Sequence, residues 1–355
     1  MRQMIFVAAA LAALAPSTFA PGATASPGAL ASPEATGSPA ATATAALQSE
    51  ATIQRGFDVA TGGTLRVDAD FGSIEVTTSD ANRVEVTVSR EVRDRYRDDE
   101  QQILAELPVD VSQSGNDVVV VAEASEDVRE RWRDEYRNTP VQIRFAIRVP
   151  RAYNVDLETA GGSIEVSDLE GEVRSSTAGG SLRFGNIEGS VWARTAGGNI
   201  ALEGSSGTAD VRTSGGSITI GAVDGTVDAE TSGGSIRIDR AGADVRAQTS
   251  GGGIEVEEVR GAIDASTAGG TVRATITEQP ARDCRLSTSG GSVIVTLAAG
   301  IAVNLDASSG GGGSVSSDFE IDGRVRRTSI EGAINGGGPQ LHLRTSGGSI
   351  RIRQR

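Results

Sequence analysis

From Thr159 onward the chain alternates apolar and polar residues in short runs, and the runs recur. In "TSGGSITIGAVDGTVDAE", residues 213 to 230, Ile218 and Ile220 alternate with polar neighbours, Val223 follows, and Val227 and Ala229 lead to Thr231, which opens the next copy. A period of two predicts strands with one buried face. Each copy therefore holds two short strands, separated by one corner at the Gly-Gly pair and another near Asp224-Gly225.

The opening threonine stands at 159, 177, 195, 213, 231, 249 and 267, always 18 residues apart. Looser copies begin at Thr288 and Thr345, and "SSGGGGSV" from Ser308 to Val315 is a degenerate one, so insertions are expected as loops in the last stretch. A fixed period of this length marks a solenoid. Neither half of a copy could bury its apolar face alone, whereas coils stacked about 4.8 Å apart share one core and bond to each other's backbones. The expectation is an all-β fold, a parallel β-solenoid (β-helix) of 18-residue, two-strand coils over residues 159–355.

The Gly pairs are read as structural turns: Gly161 and Gly162, Gly179 and Gly180, Gly197 and Gly198, Gly215 and Gly216, Gly233 and Gly234, Gly251 and Gly252, Gly269 and Gly270. Two reasons for glycine are expected there, a positive φ at the reversal and a close approach of consecutive coils. A phosphate cradle would need a helix after the glycines, and a strand follows each time. Calcium-binding nonapeptide repeats would need an Asp that these copies lack. The threonines are expected as an inward ladder bonded to neighbouring backbone; an outward ice-binding array would need a flat face of Thr-x-Thr pairs, which is missing.

Residues 49–158 differ. "TLRVDADFGSIEVTTSDANRVEVTVSREV", "DVVVVAEA" and "VQIRFAIRVP" alternate as strands, while "RYRDDEQQILAELP" and "SEDVRERWRDEYR" read as charged amphipathic helices, with Trp132 as a packing residue. This strand region with short helices is expected to cap the N-terminal end of the coils and cover their open edges. The other end is expected to finish in "SIRIRQR", whose arginines would discourage edge pairing. Residues 1–25, with the apolar run "MIFVAAALAALA" and Ala23-Thr24-Ala25, fit a secretory signal peptide, and residues 26–48 a disordered Ala/Ser/Pro/Thr linker. The expected location is exported: periplasm, cell surface or extracellular. No segment approaches the ~20 apolar residues of a membrane span.

Composition narrows the chemistry. Formal net charge is -14 over 355 residues and aromatics are 3%, which disfavours nucleic acid and a bulky helical core. All 33 basic residues are Arg, so Schiff-base chemistry and Lys-dependent phosphate loops are excluded. One cysteine, Cys284, and one histidine, His342, cannot form an internal disulfide or a His/Cys metal cluster, and Cys284 in a strand-like run reads as a small apolar residue. No cofactor and no metal are expected.

Stacking residues 18 apart gives outward columns. One runs Arg174, Trp192, Asp210, Asp228, Arg246, Asp264; its neighbour runs Ser176, Arg194, Arg212, Glu230, Gln248, Ser266. Mixed charges suit a solvated face of weak ion pairs. Against that reading, Trp192 beside Arg194 and Arg212, with Asp210 and Asp228 stacked below, is a candidate ligand site: a ring to stack on a sugar and polar groups to bond its hydroxyls. A further column, Glu203, Gly221, Asp239, Glu257, places two carboxylates on consecutive coils, the minimum for a cation or a glycosidase pair.

"TLRVDADFGSIEV" from Thr64, "IRFAIRVPRAYNVDLETAGGSIEV" from Ile143 and the repeated "TSGGSI" together resemble the bacterial putative-adhesin family of exported β-solenoid domains of unknown function, over about residues 55 to 355. The resemblance implies an exported, right-handed β-solenoid acting in adhesion at the envelope, and it supplies no catalytic motif. The resulting expectation is a non-enzymatic adhesin-like or envelope scaffold protein that uses the solenoid flank as a binding surface, with a polysaccharide or an envelope protein as partner. Two alternatives stand beside it: a polysaccharide lyase or hydrolase on a β-helix, and a periplasmic envelope-stress or assembly component that binds a protein partner.

Overall fold

The computed structural model describes residues 51–136 and 139–355, so the expected signal peptide and linker lie outside the described residues. The described residues are nearly all β, in two long, mostly parallel sheets of 14 strands (sheet A) and 15 strands (sheet B). From Val141–Pro150 to Val315–Ser317 successive strands alternate between the sheets. Val173–Thr177 of sheet B pairs in parallel with Val191–Thr195, Val173 opposite Val191, and Leu182–Ile187 of sheet A pairs with Ile200–Ser205, Leu182 opposite Ile200. Residues 18 apart are thus lateral neighbours, as the repeat predicts, and the arrangement is consistent with a β-solenoid.

The core lies between the sheets. Ile218, Ile220 and Val223 point inward from one strand and Val227, Ala229 and Thr231 from the next, all buried, while the residues between them face out. The motif's letters each have a bond to make. Thr195 Oγ1 donates to the Gly180 carbonyl of the preceding coil at 2.8 Å and accepts from the Gly198 amide of its own coil at 3.3 Å. Thr213 and Thr231 repeat both contacts. The serine after the glycines extends a second ladder: Ser217 Oγ accepts from the Ser235 amide at 3.2 Å.

The glycines differ from expectation in one respect. None of the paired glycines has a positive φ. Close approach is what excludes a side chain, and it acts mainly on the second glycine: a Cβ on Gly216 would lie 2.0 Å from the Gly198 carbonyl oxygen, while a Cβ on Gly215 would be 3.4 Å from its nearest neighbour.

Residues 51–150 extend the same two sheets. Thr64–Ala69 and Ser73–Ser79 stack in register on Asn154–Thr159 and Ile164–Val166, and Thr159 Oγ1 donates to the Gly72 carbonyl at 3.1 Å, so "TLRVDADFGSIEV" is itself a coil. Beyond it lie Asp117–Ala122 in sheet B and Val141–Pro150 in sheet A, and antiparallel strands finish each sheet. Helices α1 (Glu100–Glu106) and α2 (Glu126–Glu135) fall where the charged amphipathic runs place them. Buried Arg90 donates to the Leu104 and Leu107 carbonyls at the end of α1, where a cation complements the helix dipole. Trp132 is buried, donates from Nε1 to Glu106 at 2.6 Å and sits 6.3 Å from the Phe71 ring, as a packing residue should.

The other end departs from expectation. Gln340–Thr345 lies between Cys284–Thr288 and Val303–Ser309, and Ile350–Gln354 lies between Val293–Leu297 and Val315–Ser317. "SIRIRQR" is therefore an interior coil and does not close the stack. Its inward Ile350 and Ile352 meet the same core as every other coil, and Arg351 faces out. The stack closes instead with Val303–Ser309 and a hairpin of Asp322–Arg326 and Ser329–Ile334, whose exposed outer strand carries Arg324 and Arg326. No helix among the described residues is long and apolar enough to cross a membrane.

Candidate functional site

Parity turns every second residue of a sheet B strand outward, and the register aligns those residues into a column: Arg66, Asp156, Arg174, Trp192, Asp210, Asp228, Arg246, Asp264, Arg285, His342, Asp306. The five candidate residues fall together on this face. Arg194 donates to the Asp210 carboxylate at 2.7 Å and to its backbone carbonyl at 2.9 Å. Arg212 reaches Asp228 at 3.0 Å and Glu230 at 3.6 Å, and its Nε faces Asp210 Oδ1 at 3.5 Å without hydrogen-bond geometry. Partial burial works against the Arg212 charge, but Asp210, Asp228 and Glu230 outweigh it and hold the guanidinium above its ordinary pKa.

Trp192 is placed differently from a free stacking platform. The Arg174 guanidinium lies 4.2 Å from its ring centroid and that of Arg194 lies 4.6 Å away, so cations already occupy the ring. A sugar stacking there would have to displace a guanidinium, and Arg194 is tied to Asp210. On sheet A, Asp239 and Glu257 do come together, but Arg237 ion-pairs with both and with Glu255 at 2.7 Å. These carboxylates are engaged by a guanidinium rather than open to a substrate; Glu203 is in no such cluster.

Sequence reasoning missed a groove of about 750 Å³ further along the sheet B face, floored by Asp228, Arg246 and Asp264. Arg282 and Asp283 overhang it from the segment between Ile276 and Cys284, and Arg282 ion-pairs with Asp244 in the groove wall. The overhang is anchored: Gln279 donates to the Ala302 carbonyl at 2.9 Å and accepts from its amide at 2.8 Å, and Asp283 accepts from the Gln340 amide at 2.8 Å. The signal was present in the spacing, since Thr267 and Thr288 stand 21 residues apart instead of 18.

No family model and no curated protein matches the chain. Among solved structures it is similar to a putative adhesin from Bacteroides fragilis NCTC 9343, at 11% identity and a TM-score of 0.30, covering 86% of this chain and 97% of that one. A putative adhesin from Parabacteroides merdae ATCC 43184 gives 9% identity and 0.34, over 85% and 95%. A putative cell adhesion protein from Clostridium sporogenes ATCC 15579 gives 9% and 0.18, over 86% and 100%. Likenesses at such scores carry no argument about what the chain does.

Proposed function

We propose that the protein is an exported, non-enzymatic adhesin-like or envelope scaffold protein that presents the outer face of sheet B as a contact surface. In this reading residues 1–25 direct export, 26–48 form a tether, 49–158 close one end, and 159–355 wind as a right-handed solenoid of 18-residue, two-strand coils. Right-handed crossovers between parallel strands of one sheet are the overwhelming rule, which supports that hand.

The observation that carries the proposal is the outer column itself. From Arg66 to Asp306 every rung bears a charged, aromatic or His side chain, in register. Ten steps between rungs of about 4.8 Å make a strip about 48 Å long. A rigid, polar strip of that length suits a repetitive surface better than a single small molecule. The engagement of Asp210, Asp228, Asp239 and Glu257 by arginines argues against carboxylate-pair hydrolysis at those positions.

The test is co-sedimentation of the intact chain with insoluble bacterial envelope and polysaccharide preparations, scoring both bound protein and soluble sugar released. Binding without release is expected. Sugar release would overturn the non-enzymatic reading, and failure to sediment with any preparation would overturn the contact surface.

A further inference from the structure

The geometry points to a ligand class for the groove around Arg246: a neutral, polyhydroxylated chain, that is, a saccharide lying along the stacking direction. The inference rests on the reading that this face meets a surface, and adds where on the face and by what chemistry.

Asp228, Arg246 and Asp264 occupy consecutive rungs of the floor. A carboxylate only accepts hydrogen bonds and a guanidinium only donates them, so the floor alternates acceptor, donor, acceptor at intervals of about 4.8 Å. The lining carries Asp228, Asp244, Asp264 and Asp283 against Arg246 and Arg282, with Arg282 paired to Asp244, and a cationic ligand drawn to the floor aspartates would meet Arg246 between them. An anionic ligand drawn to Arg246 would meet Asp228 and Asp264 on either side, with Asp244 and Asp283 also in the lining. A hydroxyl both donates and accepts, so a chain of hydroxyls satisfies every rung without bringing a charge of either sign.

Two further observations fit. Among the described residues, the side chains of Arg246 and Asp264 form no hydrogen bond or ion pair, although those of Arg194, Arg212 and Arg344 on the same face are all paired. A ligand bonded to these two side chains breaks no internal ion pair, and at Asp228 it would meet Oδ1, since Arg212 holds Oδ2. The overhang is also built in place by the Gln279, Asp283 and Arg282 contacts, so the groove is preformed, and its volume lies within the usual range for small-ligand sites.

The experiment is titration of the intact chain, by calorimetry and saturation-transfer NMR, with the tetrasaccharides of cellulose, xylan, mannan, starch and chitin, and with a galacturonate and a chitosan tetramer as charged controls. At least one neutral oligosaccharide should bind in preference to both charged ones. Arg246→Ala and Asp264→Asn should each weaken it roughly ten- to a hundredfold, the loss of a hydrogen bond to a charged group. Trp192→Ala should change it less than about twofold, an increment below ~0.5 kcal/mol. Neither groove variant removes a contact within the protein, and an unchanged urea midpoint checks that each is folded. Binding of none of the neutral oligosaccharides, preference for a charged one, or binding indifferent to Arg246→Ala would each overturn the inference. If the chain sediments with envelope material while no oligosaccharide binds, the groove assignment fails and the contact surface stands; the reverse pattern separates them the other way.

Discussion

Replacing Gly180 by alanine should cost far more than replacing Gly179, although the two share one corner and neither has a positive φ. A Cβ on Gly180 would lie 1.9 Å from the Gly162 carbonyl oxygen, where real Cβ atoms stay at least 3.0 Å away, whereas a Cβ on Gly179 meets nothing within 4 Å. The corner would have to open by about 1.1 Å, the difference between 3.0 and 1.9 Å. Thr177 donates to that Gly162 carbonyl at 2.8 Å, and Thr195 donates to the Gly180 carbonyl at 2.8 Å, so an opening of that size breaks both bonds. Overpacking costs about 1–3 kcal/mol and each lost hydrogen bond about 1 kcal/mol, giving about 3–5 kcal/mol for Gly180→Ala. Gly179→Ala mainly restricts the unfolded chain and should stabilise by about 0.4–1 kcal/mol. The assay is urea unfolding followed by far-UV circular dichroism and tryptophan fluorescence. Trp192 sits on the strand paired with Val173–Thr177, directly before this corner, and reports local loss even if stacked coils unfold in parts. Equal midpoints for the two variants would refute close approach as the reason for the second glycine.

Thr231→Val removes a hydroxyl that donates to the Gly216 carbonyl at 2.8 Å and should cost about 1–3 kcal/mol in the urea midpoint, while Thr231→Ser, which keeps the hydroxyl, should retain most of the stability; a larger loss in Thr231→Ser than in Thr231→Val, which keeps the methyl group, would refute the hydrogen bond as the cause. Ending the chain at Pro339 should expose Val303–Ser317 to limited proteolysis, because the removed coil lies between that segment and the rest of the stack; intact protection there would contradict the strand order. Burial pushes the Cys284 thiol pKa up, so a thiol reagent at pH 8 should label the chain only as denaturant unfolds it, and immediate labelling would contradict the buried placement. The Arg344 hydrogen bond holds the Asp306 carboxyl below its ordinary pKa, with His342 adding to the effect. A depressed folded value means stability that is present above the unfolded carboxylate pKa and lost as pH falls through the folded one. Asp306→Asn should therefore lower the unfolding midpoint at pH 7 and make a smaller difference at pH 3; a constant difference would refute the linkage.

The coils were legible because parity and period are both local. The alternation at Ile218, Ile220, Val227 and Ala229 fixes which residues face in, and a spacing of 18 fixes which residues become neighbours, so the outer column from Arg174 to Asp264 follows from the sequence alone. The pairings across that column are less local. An arginine reaches one rung either way as well as along its own strand, and which carboxylate it meets depends on rotamers that the pattern does not encode. Arg174 stood next to Trp192 in the column arithmetic, yet its position over the ring, which closes the stacking platform, is a side-chain outcome. The groove was better signalled than the platform: three residues added to a strict period between Thr267 and Thr288 must bulge somewhere, and they bulge over the face beside Arg246.

The order of the last coils was not legible, and the repeat itself is the reason. Each coil offers the same inward pattern and the same Thr and Gly contacts, so a coil's sequence says that it stacks but not on which neighbour. Ser309 shows the degeneracy: it takes the threonine's place in its coil and donates to the Gly348 carbonyl at 2.7 Å, although that glycine follows it by 39 residues. Thr345 likewise donates to the Gly291 carbonyl at 2.7 Å across 54 residues. The contacts that specify order must then come from what differs between coils. Asn335 is one such feature: it has a φ of 50° and donates to the Ala299 and Ile301 carbonyls, fixing the chain just before it turns back between two coils already laid down. The hairpin that precedes it is another, since its pairing with Val303–Ser309 occupies one edge of that strand and leaves the other for Gln340–Thr345. Chain order at this end is thus set by the irregular residues between coils, while the regular ones supply the stacking energy.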